Sequence, residues 1–203
     1  MVGFFCAKTT EANLRLLRLF PWRASSLQET AERLGELLAE RGIGVVFGGG
    51  CIGLMGALAD AALLKGGEVI GVIPESLVRR EIAHQGVTRL HVVETMHQRK
   101  ALMADLSDAF IALPGGYGTL EELLEAITWS QLGIQQKPCG LLNVEKYWDG
   151  LLAVLDHAVD EQFVRPENAQ LVLVAQTPEW MLERLEEWTP PEHIEKWLDK
   201  SKR

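Results

Sequence analysis

The sequence predicts an α/β protein with a Rossmann-like, doubly wound, mostly parallel sheet and helices on both faces. Two observations support this prediction. Short apolar runs typical of buried strands alternate with longer amphipathic segments along the chain. Two of these runs, at 43–47 and 108–113, pass into glycine-rich loops that lead directly into a helical pattern. Because ligand loops of such sheets follow the carboxyl ends of strands, we expect the two glycine loops to line one crevice.

The predicted elements follow one another in a regular order. Each predicted strand is a short apolar run bounded by Gly, Pro or polar residues, and each predicted helix has apolar residues at helical spacing. The predicted strands are 2–6, 43–47, 69–73, 89–93, 108–113, 138–142 and 171–174. The predicted helices are 26–41, 54–65, 96–106, 120–132, 147–161 and 178–188. Ser26 with Glu29, and Thr95 with Gln98, have the spacing of a capping box and mark two of the helix starts.

Length and composition bound the domain organisation. The 203 residues, 47% of them hydrophobic, fit a single α/β domain over residues 1–203 with one sizeable core. Residues 1–24 contain a basic, apolar stretch, for which a short packed helix and an organelle transit peptide are both compatible interpretations. Residues 189–203 form a polar carboxy-terminal tail that has two prolines, Pro190 and Pro191, at its start after Thr189.

Charge and cysteine usage exclude several classes of function. The formal net charge is −8 and the pI is near 5.2, so nucleic-acid polymers and acidic membranes would be repelled. No apolar run approaches the ~18 residues of a membrane-spanning helix. Cys6, Cys51 and Cys139 are widely spaced, which predicts neither a disulfide framework nor a metal site. We therefore expect a protein of the reducing cytoplasm.

The loop after the predicted strand at 108–113 has the composition of a phosphate site. Pro114 ends the strand, and Gly115, Gly116 and Gly118 have no Cβ to keep a ligand from the backbone N–H groups. The N–H groups and dipole at a helix start attract anions, most often phosphate. The alternative interpretation is a tight turn that serves packing alone.

Thr119 and Glu122 are predicted to open the helix behind this loop. Thr119 suits the N-cap position, and Glu122 stands at capping-box spacing from it. Glu122 could therefore serve as a simple capping residue or as a carboxylate of the site.

The other glycine loop formally matches a dinucleotide-binding motif. Gly48, Gly50 and Gly53 fit G-x-G-x-x-G, and Glu75 lies at about the distance of a ribose-binding acid. An NAD(P)-binding domain is therefore an alternative. A match to this motif alone is weak, and a second phosphate-type loop stands in the same chain.

Arg99 is predicted to point inward. On the helix at 96–106 it shares a face with Leu102, Met103 and Leu106. A buried guanidinium needs an anionic partner, because an unpaired buried charge is very costly. That partner could be a ligand or a structural acid such as Asp105 or Asp108.

Three motifs in order carry a family resemblance. They are Gly-Gly-Gly at 48–50 with Gly-Leu-Met-Gly at 53–56, Met-His-Gln-Arg-Lys at 96–100, and Pro-Gly-Gly-Tyr-Gly-Thr-Leu-Glu-Glu at 114–122. Together they closely resemble the Lonely Guy family of cytokinin riboside 5′-monophosphate phosphoribohydrolases, long mislabelled as lysine decarboxylases. The resemblance implies a Rossmann-like homodimer without a cofactor. Its implied reaction is hydrolysis of the N-glycosidic bond of AMP or an N6-modified nucleotide to a free base and ribose 5-phosphate.

The resemblance also implies roles for individual residues. Arg99 and Glu122 would be the catalytic pair, with Glu122 stabilising an oxocarbenium-like sugar and orienting or deprotonating water, and Arg99 anchoring the nucleotide or supporting the leaving base. The backbone of 115–119 would hold the phosphate. The implied substrate-binding residues are Gly49, Gly50, Gly53, Met96, Lys100, Pro114, Gly115, Gly116, Tyr117, Gly118 and Thr119.

One segment departs from the family pattern. Family members usually follow the first strand with a Gly-Ser-Ser type loop that reaches the phosphate, whereas Cys6 is followed here by Ala-Lys-Thr-Thr and the atypical stretch at 11–24. Lys8 or Thr9 could substitute for that loop. The main alternative function is a non-catalytic carrier on the same fold, like the molybdenum-cofactor carriers. No lysine has a context that marks the Schiff-base lysine of a decarboxylase.

Overall fold

The structure is a computed structural model that describes residues 2–5, 21–78 and 83–191. The described strands are β1 (Val2–Phe5), β2 (Val45–Phe47), β3 (Val69–Pro74), β4 (Arg89–Val93), β5 (Ala109–Ala112), β6 (Cys139–Leu142) and β7 (Val172–Ala175). The described α-helices are α1 (Pro21–Glu40), α2 (Leu54–Leu64), α3 (Glu75–Val78), α4 (Met96–Leu106), α5 (Tyr117–Gln131), α6 (Asp149–Asp160), α7 (Pro166–Ala169) and α8 (Pro178–Glu187). A 3₁₀ turn lies at Val144–Lys146.

The seven strands form one parallel sheet in the order β4-β3-β2-β1-β5-β6-β7. The predicted Rossmann-like α/β class is therefore confirmed. The strand order runs outward in both directions from β1, which pairs with β2 on one side and with β5 on the other. The point where the order reverses is where open α/β sheets bind their ligands, so the crevice is expected at the carboxyl ends around β1.

Alternating residues of the central strands bury both faces of the sheet. On one face, Val45, Phe47 and Ile111 join the apolar sides of α1, α2 and α8 in one core cluster. On the other face, Val46 packs with Met103 of α4, and Phe110 packs with residues of α5 and β6. This period of two, with both faces buried, explains why these strands are continuous apolar runs in the sequence.

The helix start predicted at Ser26 is wrong. Helix α1 begins at Pro21, which suits the first helical position because its missing N–H needs no partner there. Ser26 lies one turn inside the helix, and its Oγ donates a hydrogen bond to Glu145 Oε1 at 2.5 Å. The capping-box spacing of Ser26 and Glu29 is therefore coincidental.

Several predictions fall outside the described residues. They concern Cys6, the segment at 7–20 with Lys8 and Thr9, and most of the tail at 189–203. Among the helices of the described ranges, none is long and apolar enough to cross a membrane. The same ranges contain no group of three or more His, Cys, Asp or Glu placed to hold a metal ion.

Candidate active site

The two glycine loops leave the carboxyl ends of β2 and β5, the strands on either side of β1. The first loop occupies residues 48–53 before α2, and the second occupies 113–116 before α5. Helix α4 begins after the carboxyl end of β4 and packs on the sheet through Met103. Its first turn lies at the same edge as the two loops, so the three motifs of the sequence meet at one place.

Helix α5 begins earlier than the sequence predicts. Its N-cap is Gly116, with φ −93° and ψ −153°, and its first residue is Tyr117. The prediction of Thr119 as N-cap is therefore wrong, because Thr119 is the third helical residue and is fully buried. A Cβ on Gly115 would overlap the Thr119 hydroxyl, so Gly115 allows this close contact between loop and helix.

The start of α5 presents backbone donors. The first helical hydrogen bond runs from Leu120 N–H to the Gly116 carbonyl at 3.1 Å, so the N–H groups of Tyr117 and Gly118 lie ahead of the helical ladder. Pro114 is buried and Tyr117 is 92% exposed. An anion at this end would meet N–H groups and the positive end of the helix dipole.

Arg99 is held in the first turn of α4 by a complete cap. The Thr95 hydroxyl accepts from Gln98 N–H and the Gln98 side chain accepts from Thr95 N–H, which confirms the capping box predicted there. Arg99 is 6% exposed, as its inward face predicts. A Cβ on Gly48 would overlap the Arg99 guanidinium, so the guanidinium lies directly over the first residue of the β2 loop.

The Arg99 guanidinium is poorly satisfied. Its Nη2 lies 3.8 Å from Glu122 Oε1, and its Nη1 lies 3.8 Å from the Met96 sulfur. Its Nε is buried and has no hydrogen-bond partner within the described ranges. A guanidinium has five N–H donors, and within the described residues the contacts of Arg99 are one distant carboxylate and one weak sulfur acceptor, which leaves room for oxygen acceptors of a ligand. Met96 itself is 41% exposed and so stands at the mouth of the site.

Glu122 is the buried acid opposite Arg99. It lies in the second turn of α5 and is 6% exposed. Burial raises the pKa of Glu122 to about 7, although the charges of Arg99 and Lys100 oppose the shift. A carboxyl group with this pKa can accept or release a proton near neutral pH.

Lys100 has a different environment from Arg99. Its ammonium group contacts Glu121 Oε1 at 2.5 Å and Glu125 Oε1 at 3.0 Å, and its side chain is 10% exposed. Burial lowers the pKa of Lys100, but the hydrogen bonds to both carboxylates outweigh burial and raise it above its ordinary value. The structure therefore places Lys100 in an ion-pair cluster on α4 and α5. Its contact with a nucleotide stays a prediction.

The β2 loop is held by a neighbouring segment. His84 N–H donates to the Gly49 carbonyl at 3.0 Å, and Gly50 forms a bridge with Ala83. A Cβ on Gly49 would lie 3.2 Å from Ile73 Cβ, so Gly49 serves close packing against β3. Gly53 is the N-cap of α2. Of the glycines in this loop, Gly48 has the Arg99 guanidinium against it.

Two residues at this edge lie outside the predicted substrate-binding set. One is Gly48, and the other is Tyr147, whose hydroxyl donates to the Gly115 carbonyl at 2.5 Å. Tyr147 follows β6, the neighbour of β5, so its place just beyond the carboxyl end of a strand was the available signal.

The fold and the site define a class: Rossmann-like α/β proteins with two glycine loops and a buried Arg–Glu pair at the carboxyl edge of the sheet. A sequence model of the family described as "Possible lysine decarboxylase" matches residues 55–185. The "Probable cytokinin riboside 5′-monophosphate phosphoribohydrolase LOGL5" of Oryza sativa subsp. japonica is 52% identical over 173 residues, 85% of this chain and 70% of the relative. The "Cytokinin riboside 5′-monophosphate phosphoribohydrolase LOG3" of Arabidopsis thaliana is 51% identical over 168 residues, 83% of this chain and 78% of the relative. The chain therefore belongs to this family, the Lonely Guy family.

Solved structures of other proteins share the fold. The molybdenum cofactor binding protein of Rippkaea orientalis has a TM-score of 0.65 at 24% identity, over 91% of this chain and 94% of that chain. The molybdenum cofactor carrier protein of Chlamydomonas reinhardtii has a TM-score of 0.64 at 22% identity, over the same shares of the two chains. At these identities the likeness shows the fold alone.

Proposed function

We propose that the protein hydrolyses the N-glycosidic bond of a nucleoside 5′-monophosphate to a free base and ribose 5-phosphate. The observation that carries the proposal is the buried pair of Arg99 and Glu122, which face each other at 3.8 Å without a close hydrogen bond. The pair lies beside a helix start that presents N–H donors, as an anionic substrate requires. The relatives' names, which specify a cytokinin riboside 5′-monophosphate, support this reaction. The proposed substrate is AMP or an N6-modified cytokinin nucleotide.

The chemistry follows from where charge develops. As the bond between C1′ and the base nitrogen breaks, positive charge builds on the sugar and negative charge on the base. Glu122 stabilises the sugar and accepts a proton from the attacking water, whose oxygen bonds to C1′. The departing base nitrogen takes up a proton from solvent, and Glu122 returns its proton to solvent after the product leaves. The raised pKa of Glu122, about 7, suits a group that must take up a proton near neutral pH.

Arg99 is assigned to the groups that carry negative charge, namely the phosphate or the departing base. Its guanidinium, whose Nε has no partner among the described residues, binds the nucleotide or supports the departing base, where a fixed cation in a water-poor site is most effective. The start of α5, with Gly115, Gly116, Tyr117, Gly118 and Thr119, is assigned the phosphate. No step requires a metal or a cofactor.

The test is release of free base from AMP and from N6-isopentenyl-AMP, followed by chromatography. Wild type should release base, and Glu122→Gln should lower kcat by ~10²–10⁴-fold, because the variant keeps the shape but not the proton acceptor. Glu186→Gln is the matched control: it removes a carboxylate that pairs with Arg41 on the surface, and should leave turnover unchanged.

Two outcomes would contradict the proposal. Full activity in Glu122→Gln would remove Glu122 from the mechanism. Tight nucleotide binding by wild type without base release would favour the carrier function of the structurally similar proteins.

We also propose a homodimer. Tyr117 and Leu124 on α5 are exposed apolar side chains, and Ile134 in the following loop is 56% exposed. A symmetric contact would cover these residues in both copies. Light scattering of the purified protein should give twice the chain mass, and Leu124→Asp should shift the mass toward that of one chain. A single-chain mass for wild type at micromolar concentration would refute the dimer.

We propose a reducing compartment, namely the cytoplasm, as the protein's location. The two cysteines that the structure describes, Cys51 and Cys139, are free thiols, and Cys139 is buried. Fractionation of cells that make the protein should recover it with cytoplasmic markers. Recovery with the membrane or an organelle would refute the proposal.

A further inference from the structure

We propose that Tyr147 is a positioning residue that fixes the orientation of the Gly115–Gly116 peptide for phosphate binding. The proposal rests on the proposed function for the identity of the ligand. The observation behind it is the hydrogen bond from the Tyr147 hydroxyl to the Gly115 carbonyl, at 2.5 Å, which joins the loop after β6 to the loop after β5.

The peptide between Gly115 and Gly116 needs an external restraint. With glycine on both sides it can rotate at little steric cost, and one orientation presents the carbonyl oxygen where the other presents the N–H. Because the peptide is planar and trans, a carbonyl held toward Tyr147 directs the Gly116 N–H to the opposite side. A carbonyl facing a phosphate would repel it, so the restraint favours anion binding.

The loop that carries Tyr147 is itself rigidly built. The Asn143 side chain accepts from Trp148 N–H at 2.7 Å and donates to Asp149 Oδ1 at 2.8 Å, closing the turn from within. Trp148 is 2% exposed and packs edge-on against the Tyr147 ring, with centroids 4.9 Å apart. The hydroxyl therefore reaches Gly115 from a fixed base.

The two residues that precede Tyr147 adopt an unfavourable backbone conformation. Glu145 and Lys146 have φ values of +50° and +61°, in the left-handed region that favours glycine. Each costs roughly 1 kcal/mol, and such strain persists where surrounding contacts over-determine it, commonly at ligand sites. Ser26 supplies one such contact, through its bond to Glu145. The chain thus tolerates strain in the turn that aims Tyr147 at the phosphate loop.

The experiment compares wild type with Tyr147→Phe, which removes the hydroxyl and keeps the ring. Calorimetry should show a ~3- to 10-fold larger dissociation constant for ribose 5-phosphate, because the variant lacks one hydrogen bond. The KM for AMP should rise by a similar factor while kcat stays within about twofold, since Tyr147 does not touch the reacting atoms. Thermal midpoints should agree, because half of the Tyr147 side chain is exposed and its packing is retained.

Thr30→Val is the matched control. It removes another side-chain hydroxyl that donates to a backbone carbonyl, that of Ser26 at 2.7 Å, on helix α1. Ribose 5-phosphate affinity should stay at the wild-type value in this variant.

The outcomes separate this inference from the proposed function. Unchanged ribose 5-phosphate affinity in Tyr147→Phe would overturn the role of Tyr147 and leave the hydrolase intact. A lower thermal midpoint accompanied by a fall in kcat would do the same, because it would indicate a general structural defect. Weaker binding in Tyr147→Phe together with no base release by wild type would support Tyr147 and refute the hydrolase. No binding of ribose 5-phosphate by wild type would overturn the role of Tyr147, and base release from AMP would still decide the hydrolase.

Discussion

Helices α4 and α5 form two charge clusters that are neighbours in sequence and differ in geometry. Lys100 meets Glu121 at 2.5 Å and Glu125 at 3.0 Å, close enough for strong charge-assisted hydrogen bonds. One residue away on each helix, Arg99 and Glu122 are more deeply buried and stand 3.8 Å apart. The same two helices therefore bring Lys100 into hydrogen-bond contact with its carboxylates but keep Arg99 and Glu122 beyond hydrogen-bond distance.

The difference in geometry favours a stabilising role for the Lys100 cluster and supports the ligand-binding role proposed for the Arg99–Glu122 pair. A buried charge pair repays its desolvation when its geometry is good and its remaining donors are satisfied. The Lys100 cluster meets that condition. The Arg99 pair does not, since its Nε has no partner in the described part of the chain and the pKa of Glu122 is raised to about 7. An anionic ligand that accepts hydrogen bonds from Arg99 would offset the desolvation cost of this pair.

Arg99→Met should give the largest difference between the two clusters. Loss of a preorganised cation from a buried site should lower kcat/KM for base release by ~10²–10³-fold. Lys100→Met, which removes the neighbouring cation, should cost far less at pH 9. Steady-state kinetics of both variants on AMP measure the contrast, and equal losses would show that the two clusters serve one function.

The raised pKa of Glu122 makes stability depend on pH. The native state holds the proton more tightly than the unfolded chain, so stability from this group is present below about pH 4.5 and is lost as pH rises through about 7. Wild type should lose about 3 kcal/mol relative to Glu122→Gln between pH 4.5 and pH 8.5. Urea unfolding of both proteins across this range measures the difference. Parallel pH curves for the two would show that Glu122 titrates at its ordinary pKa.

Gly48→Ala tests the position of the open pair without changing a charge. The new Cβ would overlap the Arg99 guanidinium, which must then shift away from its present place. We expect roughly a tenfold lower kcat/KM, since small displacements in a preorganised site are costly. Gly150→Ala is the control, because a Cβ there meets nothing within 4 Å. Unchanged kinetics in Gly48→Ala would show that Arg99 can act from another position.

Lys100→Met also tests whether the Lys100 cluster influences Glu122, through the pH dependence of kcat/KM. The positive charge of Lys100 lowers the pKa of Glu122, so its loss should raise that pKa and move the acid limb of kcat/KM to higher pH. Since the proposed mechanism uses the carboxylate form, activity at pH 6 should fall about threefold more than activity at pH 9. The rate of base release from AMP at both pH values measures this ratio. An equal loss at both would mean that Lys100 acts by binding and not through Glu122.

Much of the fold was predictable because both sides of each strand are buried. Strands such as Val69–Pro74 and Ala109–Ala112 appear in the sequence as unbroken apolar runs, and helices between them have an apolar face. The inward position of Arg99 followed from helical spacing for the same reason. The start of α5 did not follow, because Gly116 caps it without a side chain and local spacing favoured Thr119.

The finer parts of the site depend on contacts between distant segments. Nothing near Tyr147 in the sequence indicates that its hydroxyl reaches Gly115, 32 positions earlier. Likewise, the spacing within 96–100 does not show that Lys100 turns toward Glu121 and Glu125 while Arg99 lies over Gly48. Strand order decides such contacts, and strand order follows from the packing of the whole sheet.

The central position of β1 has a consequence for folding during synthesis. Val2 pairs with Ala109, so β1 leaves the ribosome about a hundred residues before the strand that completes the middle of the sheet. At ~5–20 residues per second this delay lasts several seconds or more. Through that interval the edge of β1 that later pairs with β5 has no partner strand and can pair with other exposed strands, as open sheet edges do.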